Sequence, residues 1–544
     1  MKERIFRRQN LAILVFTFPI LLYISHALLF GNWIIDDAGV SFVYSRNLAL
    51  GYGLTSQPGI EPVEGYSNFS WVILMTPFFF IDLFNPIVTP KVVSILLVII
   101  LFFTLNRILC ISSNYPNSGN FFTLTLLAIN TSFVVWTISG LENPLYVLLL
   151  MLIAYILLLL GKDIDLKYRL IYITLLALLV SLSAMTRPDG ILFLLVPLII
   201  LVFDHLVWKP ANQNLIIEIS IYIIFFILTF GGFITFRFFY FGDIFPNTYY
   251  AKGWLLSQFN LIPVLLPIFM LFRIPELFSS VSVRFGIVIL ISLMIIFFYL
   301  LRFRKMDRSK WLILLLLFFS ASIYVILPPD WMDEFRFATP FLVFIYIFIY
   351  LSFEAIFSIF ENREKTKLLF PLIFIVIFIV LNLIEFIPRS LSFLLDPTVP
   401  FLAVQEQYGT RFNKYAHVLN LDDGSILCPD VGGTLYASEL RVYDLGGLTD
   451  KLIAKTFGKN QGAFYDYVFK FAKPTFIHTH GYWAYKANFD ADSRFREQYV
   501  PIQENSDPWI TDRYNLNIYS GDYVRKEVLS DQLGDLINSQ NDQP

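Results

Sequence analysis

Charge is scarce in this chain. Asp, Glu, Lys and Arg make up 15% of its 544 residues, against about 25% in soluble domains. Neither sign dominates: the net charge is −2 and no basic tract occurs, which argues against nucleic acid as a partner. Cysteine is rarer still. Cys110 and Cys428 are the only two; they match no metal spacing and read as small hydrophobes, so a disulfide framework is excluded. Heptads and solenoid repeats are missing as well. What fills the chain instead is apolar: 57% hydrophobic residues, 58 Phe and a mean hydropathy of +0.65. The composition is that of a polytopic α-helical protein embedded in a lipid bilayer.

The opening "MKERIFRRQNLAILVFTFPILLYISHALLF" joins a basic head to an apolar run of about 20 residues, long enough to span, with no small-residue cleavage site. It reads as a first transmembrane helix starting in the cytoplasm. Further apolar segments lie near 69–84, 92–109, 119–138, 143–161, 170–186, 190–206, 215–240, 284–302, 311–328, 336–357 and 367–387. The short basic loops "GKDIDLKYR", "RFRKMDRSK" and "ENREKTK" go inside with the head. "TRPDG" (186–190), "FGDIFPNTYYAKG" (241–253) and "PPDWMDEFR" (328–336) therefore go outside. An inside start and an outside C-terminus need an odd number of spans. Either a segment between 69 and 161 is re-entrant, or the proline-bearing stretch 255–282, read as an interfacial helix, is a span. About 11–13 transmembrane helices are expected.

After Pro388 the composition turns polar. "SILCPDVGGTLYASELRVYDLGG" reads as strand, Gly-rich turn, short helix and strand, and "TFIHTHG" as another strand. The expected organisation is a transmembrane catalytic module at 1–388, its first outer loop at 32–68, and an extracytoplasmic α/β domain at 389–544. The final residues read as a loose tail.

The chemistry-bearing residues gather in the outer loops. Asp36 and Asp37 open the first one, in "NWIIDDAGVSFVYSRNLALGYG". One reading is a helix N-cap followed by a first-turn acid. The other is a general base, since a neighbouring carboxylate and a low-dielectric setting raise proton affinity toward neutral pH. The same loop carries Tyr44, Arg46, Glu61 and Glu64. Arg187, Lys252 and Arg336 stand in the later outer loops, either as interface anchors or, taken together, as a phosphate-binding set. Glu142, before Pro144, reads as a helix N-terminal acid or a ligand to substrate. Asn247 after Pro246 reads as a turn residue or likewise a ligand. His478 and His480 read as a strand end or as a metal pair.

The first loop resembles a signature of the GT-C membrane glycosyltransferases, and most closely the mycobacterial terminal arabinofuranosyltransferase family with its bacterial relatives. The carrying stretch is "DDAGVSFVYSRNLALGYGLTSQPGIEPVEGYSNFSW". "SGLENPLY", "RPDGILF", "FPNTYYAKG", "PDWMDEFRFATP" and "DVGGTLYASELRVYDLGGLTD" follow in the family's order. The departures are Gly39, where the family has a larger residue, and the opening of "PPDWMDEFR". The resemblance implies a GT-C fold in a bacterial plasma membrane with its site on the outer face. It further implies transfer of a sugar, such as arabinofuranose, from a polyprenyl-phosphate donor to a glycan, glycolipid or protein acceptor. Asp36 is then the catalytic base and Asp37 its supporting acid or acceptor ligand. Arg46, Arg187, Lys252 and Arg336 hold the donor phosphate; Tyr44, Glu64, Glu142, Asn247, Tyr250 and Asp330 bind substrate. No protein metal ligands are assigned, and a divalent cation is an open cofactor. The rival readings are a protein O-mannosyltransferase-like or lipid A aminoarabinose transferase-like enzyme and, outside enzymes, a flippase for lipid-linked sugars.

Overall fold

The structure, a computed structural model, describes residues 2–208, 214–252, 266–302, 306–357, 369–507, 511, 513 and 518–529. The basic loop "ENREKTK", the first part of the 255–282 stretch and the tail after 529 lie outside the described residues. Two compact units emerge. One holds Met1–Asn32, Ile87–Ile234 and Trp254–Thr398; the other holds Trp33–Pro86, Thr235–Gly253 and Val399–Pro544.

The first unit is helical. Across the described residues, eight helices are long and apolar enough to cross a membrane, or nine if one bent pair counts as a span. Phe69–Phe80 and Gly286–Tyr299 are shorter apolar helices, and Ile13–Leu29 is the apolar part of the 28-residue helix Lys2–Leu29. The 12 residues of Phe69–Phe80 rise only about 18 Å, short of a hydrocarbon core of about 30 Å. The bent pair is Pro116–Ile129 and Thr131–Ile138, turned by 68°. Asn130 makes the break, its side chain accepting from the Phe133 N–H at 2.9 Å and so starting a new helix. Arg336–Ile356 is 89% buried and forms the centre of the packing, whereas Leu215–Phe241 is only 17% buried and turns its apolar face outward.

The second unit is built on a five-stranded sheet: β1 (Ser425–Cys428), β2 (Arg441–Asp444), β3 (Phe476–Thr479), β4 (Tyr499–Ser506) and β5 (Tyr519–Arg525), in the order β2-β1-β3-β5-β4. β1 runs parallel to β2 and β3; β5 is antiparallel to both β3 and β4. Strand alternation gives the sheet two apolar faces. Ile426, Cys428, Val442, Phe476 and Val524 face a cluster that includes Val40, Val43 and Tyr44. Leu427, Ile477 and Tyr523 face Phe464, Phe469 and Phe489. The first cluster shows that helix α1 (Asp37–Ala49), from the first loop, completes the core of the C-terminal sheet. Backbone bonds reinforce this: Asp36 N–H donates to Val399 O and Phe401 N–H to Ile34 O, both at 3.0 Å. Three further helices matter below: α2 (Asn247–Lys252), α3 (Arg411–Val418) and α4 (Gly432–Ala437).

Candidate active site

In the sheet unit the geometry begins with a grip of one helix on another. Asp36 stands at the N-cap position of α1 but makes no side-chain bond to its own helix. Its carboxylate instead accepts from the N–H groups of Gly432 (3.0 Å) and Gly433 (2.6 Å), at the start of α4. Ten residues on, Arg46 donates to the carbonyls of Tyr436 (2.9 Å) and Leu435 (3.4 Å), near the end of α4. An acid on the positive end and a cation on the negative end is the arrangement the helix dipole favours. Arg46 also lies 5.2 Å from the centre of the Tyr436 ring. These contacts account for the spacing of Asp36 and Arg46 without any substrate.

The fit is tight enough to explain the glycine at 39. A Cβ there would come 2.5 Å from the Gly432 backbone, and one at Gly432 would overlap the Asp36 carbonyl. Asp36 is 5% exposed. Burial pushes its carboxyl well up, and Asp430 and Asp37 push further, against the lowering effect of the two amides. Asp37 is half-buried and its carboxylate has no hydrogen-bond or ion-pair partner among the described residues. Asp430, two residues before Gly432, is also pushed up, first by burial, with His480 opposing and Asp37 adding. The acid pair is therefore the near side of a three-carboxylate cluster, and Asp430 is the member that sequence reasoning missed.

The other outer-loop residues of this unit hold the scaffold. The buried Tyr44 hydroxyl donates to Val63 O at 2.5 Å and accepts from Gly65 N–H at 3.0 Å. Glu64 is buried against Arg237, Nε to Oε2 at 2.6 Å, with its carboxyl pushed up to about 7 by burial. Asn247 donates through Nδ2 to Gly447 O and Leu448 O at 2.8 and 2.9 Å, latching α2 to the turn after β2. Tyr250 donates to Asp243 at 3.1 Å, and Lys252 ends α2 on the surface. That turn after β2 depends on Asp444, which is fully buried and accepts from Gly447 N–H (3.0 Å) and Thr449 N–H (2.8 Å).

Burial raises the Asp444 carboxyl to about 7, against about 3.9 in the unfolded chain. Between those values the folded chain holds a proton that the unfolded chain releases. The contribution of Asp444 to stability thus falls by a few kcal/mol as pH rises from about 4 to about 7, then levels off. Urea titrations at several pH values are expected to show that decline in the wild type and a flatter curve in Asp444→Asn. Parallel curves would refute it.

In the membrane unit, four sequence candidates form one cluster. Arg187 meets Asp189 through Nε (3.1 Å) and Glu142 through Nη1 (3.4 Å). Arg336 meets Asp330 through Nε at 2.7 Å. Both guanidinium groups lie against Phe337, 4.8 and 4.6 Å from its ring centre. Together with Asn143, Tyr146 and Asp189 they line a narrow cleft with room for about one water molecule. Tyr146 donates to Asp189 at 3.0 Å. The approach to Arg336 is strained: Glu334 and Phe335 sit at φ 61° and 52°, a region that costs non-glycine residues free energy and recurs at functional sites. Glu334 is held there by Arg389, at 2.5 Å, and by the Ser132 hydroxyl. Glu142 and Asp330 are thus partners of the arginines. Nη2 of Arg187 and both Nη atoms of Arg336 have no protein partner among the described residues, so N–H donors are left for an anion.

Among the described residues no group of three or more His, Cys, Asp and Glu side chains is placed to hold a metal ion. Each oxygen of Asp36 is engaged by an amide.

The fold is that of a multi-pass helical membrane protein with a C-terminal sheet domain. Its structural neighbours include the archaeal oligosaccharyltransferase AglB from Archaeoglobus fulgidus, solved with an inhibitory peptide and a dolichol-phosphate (TM-score 0.53, 10% identity, 86% of this chain and 69% of that one). A second is the Archaeoglobus fulgidus oligosaccharyltransferase in complex with Zn and sulfate (TM-score 0.51, 11% identity, 85% and 67%). Residues 402–519 match a family described as a domain of unknown function, DUF8728. No curated protein matches the chain.

Proposed function

We propose that this chain is an inverting glycosyltransferase. It would move a sugar from a polyprenyl-phosphate donor to a hydroxyl of a cell-envelope glycan or glycolipid, at the outer face of a bacterial plasma membrane. The observation that carries the proposal is the acid cluster: an anchored, buried Asp36 beside an unpartnered Asp37. The first-loop resemblance favours arabinofuranose as the sugar, and the dolichol-phosphate in the AglB structure supports a lipid-phosphate donor.

In this reading the pair divides the work. Asp36 spends both oxygens on α4 and positions its neighbour. Asp37 is free to accept the acceptor's hydroxyl proton, the new glycosidic bond forms at the anomeric carbon, and the donor's carbon–oxygen bond breaks with its electrons leaving on polyprenyl phosphate. Arg187 and Arg336, in the membrane unit, keep N–H groups suited to a phosphate, and the first-loop resemblance makes them candidates to hold the donor's. A peptide acceptor is the second reading, favoured by the peptide in the AglB structure.

The test is release of polyprenyl phosphate by purified protein given lipid-linked pentose and glycan or peptide acceptors; lipid movement without release would overturn the enzyme reading. Arg336→Ala is expected to raise KM for the donor by about tenfold or more, the worth of one lost charge-assisted contact of about 1.5–3 kcal/mol. An unchanged donor KM would remove Arg336 from the phosphate site.

A further inference from the structure

Behind the acid cluster stands a chain of titratable groups that the reaction above does not use. His480 Nε2 lies 3.3 Å from Asp430 Oδ2. The other nitrogen of His480, Nδ1, is 3.1 Å from His478 Nε2, and His478 Nδ1 is 2.6 Å from Asp522 Oδ1. Asp522 on β5 also accepts from Arg411 Nη2 and the Tyr415 hydroxyl of α3, both at 3.1 Å. The Tyr408 ring covers both imidazoles, 4.3 Å from His478 and 5.8 Å from His480. Cys428 ends β1 nearby, Asp507 accepts from the Gly481 N–H, and Asp36 and Asp37 face Asp430 from α1.

Two of these contacts, His478 with Asp522 and His480 with His478, are hydrogen bonds, and two neutral imidazoles supply their two hydrogens; the His480–Asp430 contact is an ion-pair approach. Asp522, already an acceptor for Arg411 and Tyr415, requires the hydrogen on His478 Nδ1. Burial opposes a charge on His478, so its Nε2 is an acceptor and takes the Nδ1 hydrogen of His480. With its Nδ1 hydrogen so used, His480 turns a bare Nε2 toward Asp430 Oδ2 at 3.3 Å, at the end nearest the acid pair, and a further proton would bridge these two acceptors. His478 is sealed, whereas the His480 side chain is 38% exposed.

We propose that Asp430, His480, His478 and Asp522 form a proton-holding relay in which His480 passes the proton taken from the acceptor to water. The proposal rests on the glycosyl-transfer reading. In each turnover the acceptor's O–H proton arrives on Asp37, moves to the Asp430–His480 contact, and leaves from His480 into solvent. Asp430 and His480 are positioning residues and touch neither sugar.

Two measurements on the full chain in detergent test it. The chain has five histidines, few enough for ¹⁵N-histidine NMR. The relay predicts one neutral, Nδ1-protonated ring (His478) whose signals change in His480→Gln; two independently titrating rings of ordinary tautomer would overturn it. The pH profile of transfer is the second readout. His480→Gln is expected to move the acid limb by about one pH unit, about tenfold in rate on that limb, with donor KM unchanged. The exposed His417→Gln is expected to change neither. A His480→Gln profile of unaltered shape would overturn the coupling to transfer. If the wild type transfers no sugar at all, the functional reading falls, and the NMR result alone decides whether the relay exists.

Discussion

Asp37→Asn is expected to slow transfer by about 10²- to 10⁴-fold, the usual worth of a general base, with thermal unfolding unchanged. The reason is its setting: Asp37 is half-buried, partner-free among the described residues, and faces a second and third carboxylate. An amide of the same shape disturbs no bond that holds the unit together. Asp36→Ala should behave differently. It strands two buried N–H donors, at about 1–3 kcal/mol each, so stability and activity should fall together. Turnover by purified variants with a lipid-linked donor, alongside melting curves, separates the two. Near-normal turnover in Asp37→Asn with severe loss in a well-folded Asp36→Asn would return the base to Asp36.

The largest structural effect is expected at Gly432. A side chain there would overlap the Asp36 backbone, and backbone cannot move aside by changing rotamer. Overpacking typically costs about 1–3 kcal/mol; here the cost should reach the upper end or beyond, because α4 must withdraw from both Asp36 and Arg46. Gly462→Ala is the control, since a Cβ there meets only Asn460 Oδ1 at 3.8 Å and helix propensity improves by up to about 1 kcal/mol. Melting temperature or, for irreversible unfolding, protease half-life reads the difference. A Gly432→Ala protein as stable as the wild type would refute the close packing of α1 on α4.

How far each residue could be read from the chain depended on the distance over which its partners act. Asp36 and Asp37 stood out because adjacent carboxylates are conspicuous in an apolar sequence. Arg187 and Arg336 stood out because charge at the end of an apolar run is costly. Asp430 did not, since nothing local distinguishes an acid in a turn. Arg46, Tyr44, Glu64 and Asn247 were singled out by their place in the outer loops and by the family resemblance, and their bonds go to Leu435 and Tyr436, to Val63 and Gly65, to Arg237, and to Gly447 and Leu448.

Composition and the run of apolar segments by themselves determined a multi-pass helical protein with a polar α/β tail, because burying or solvating a side chain depends on its own chemistry. The strand–helix–strand order of β1 to β2, and β3 after it, followed from local periodicity. Only the tertiary structure decided that the first-loop helix belongs to the C-terminal sheet's core, and which carboxylate is anchored and which is free. It alone also brought His480 to Asp430. Those outcomes rest on contacts between residues far apart in the chain, whose energies no local pattern encodes.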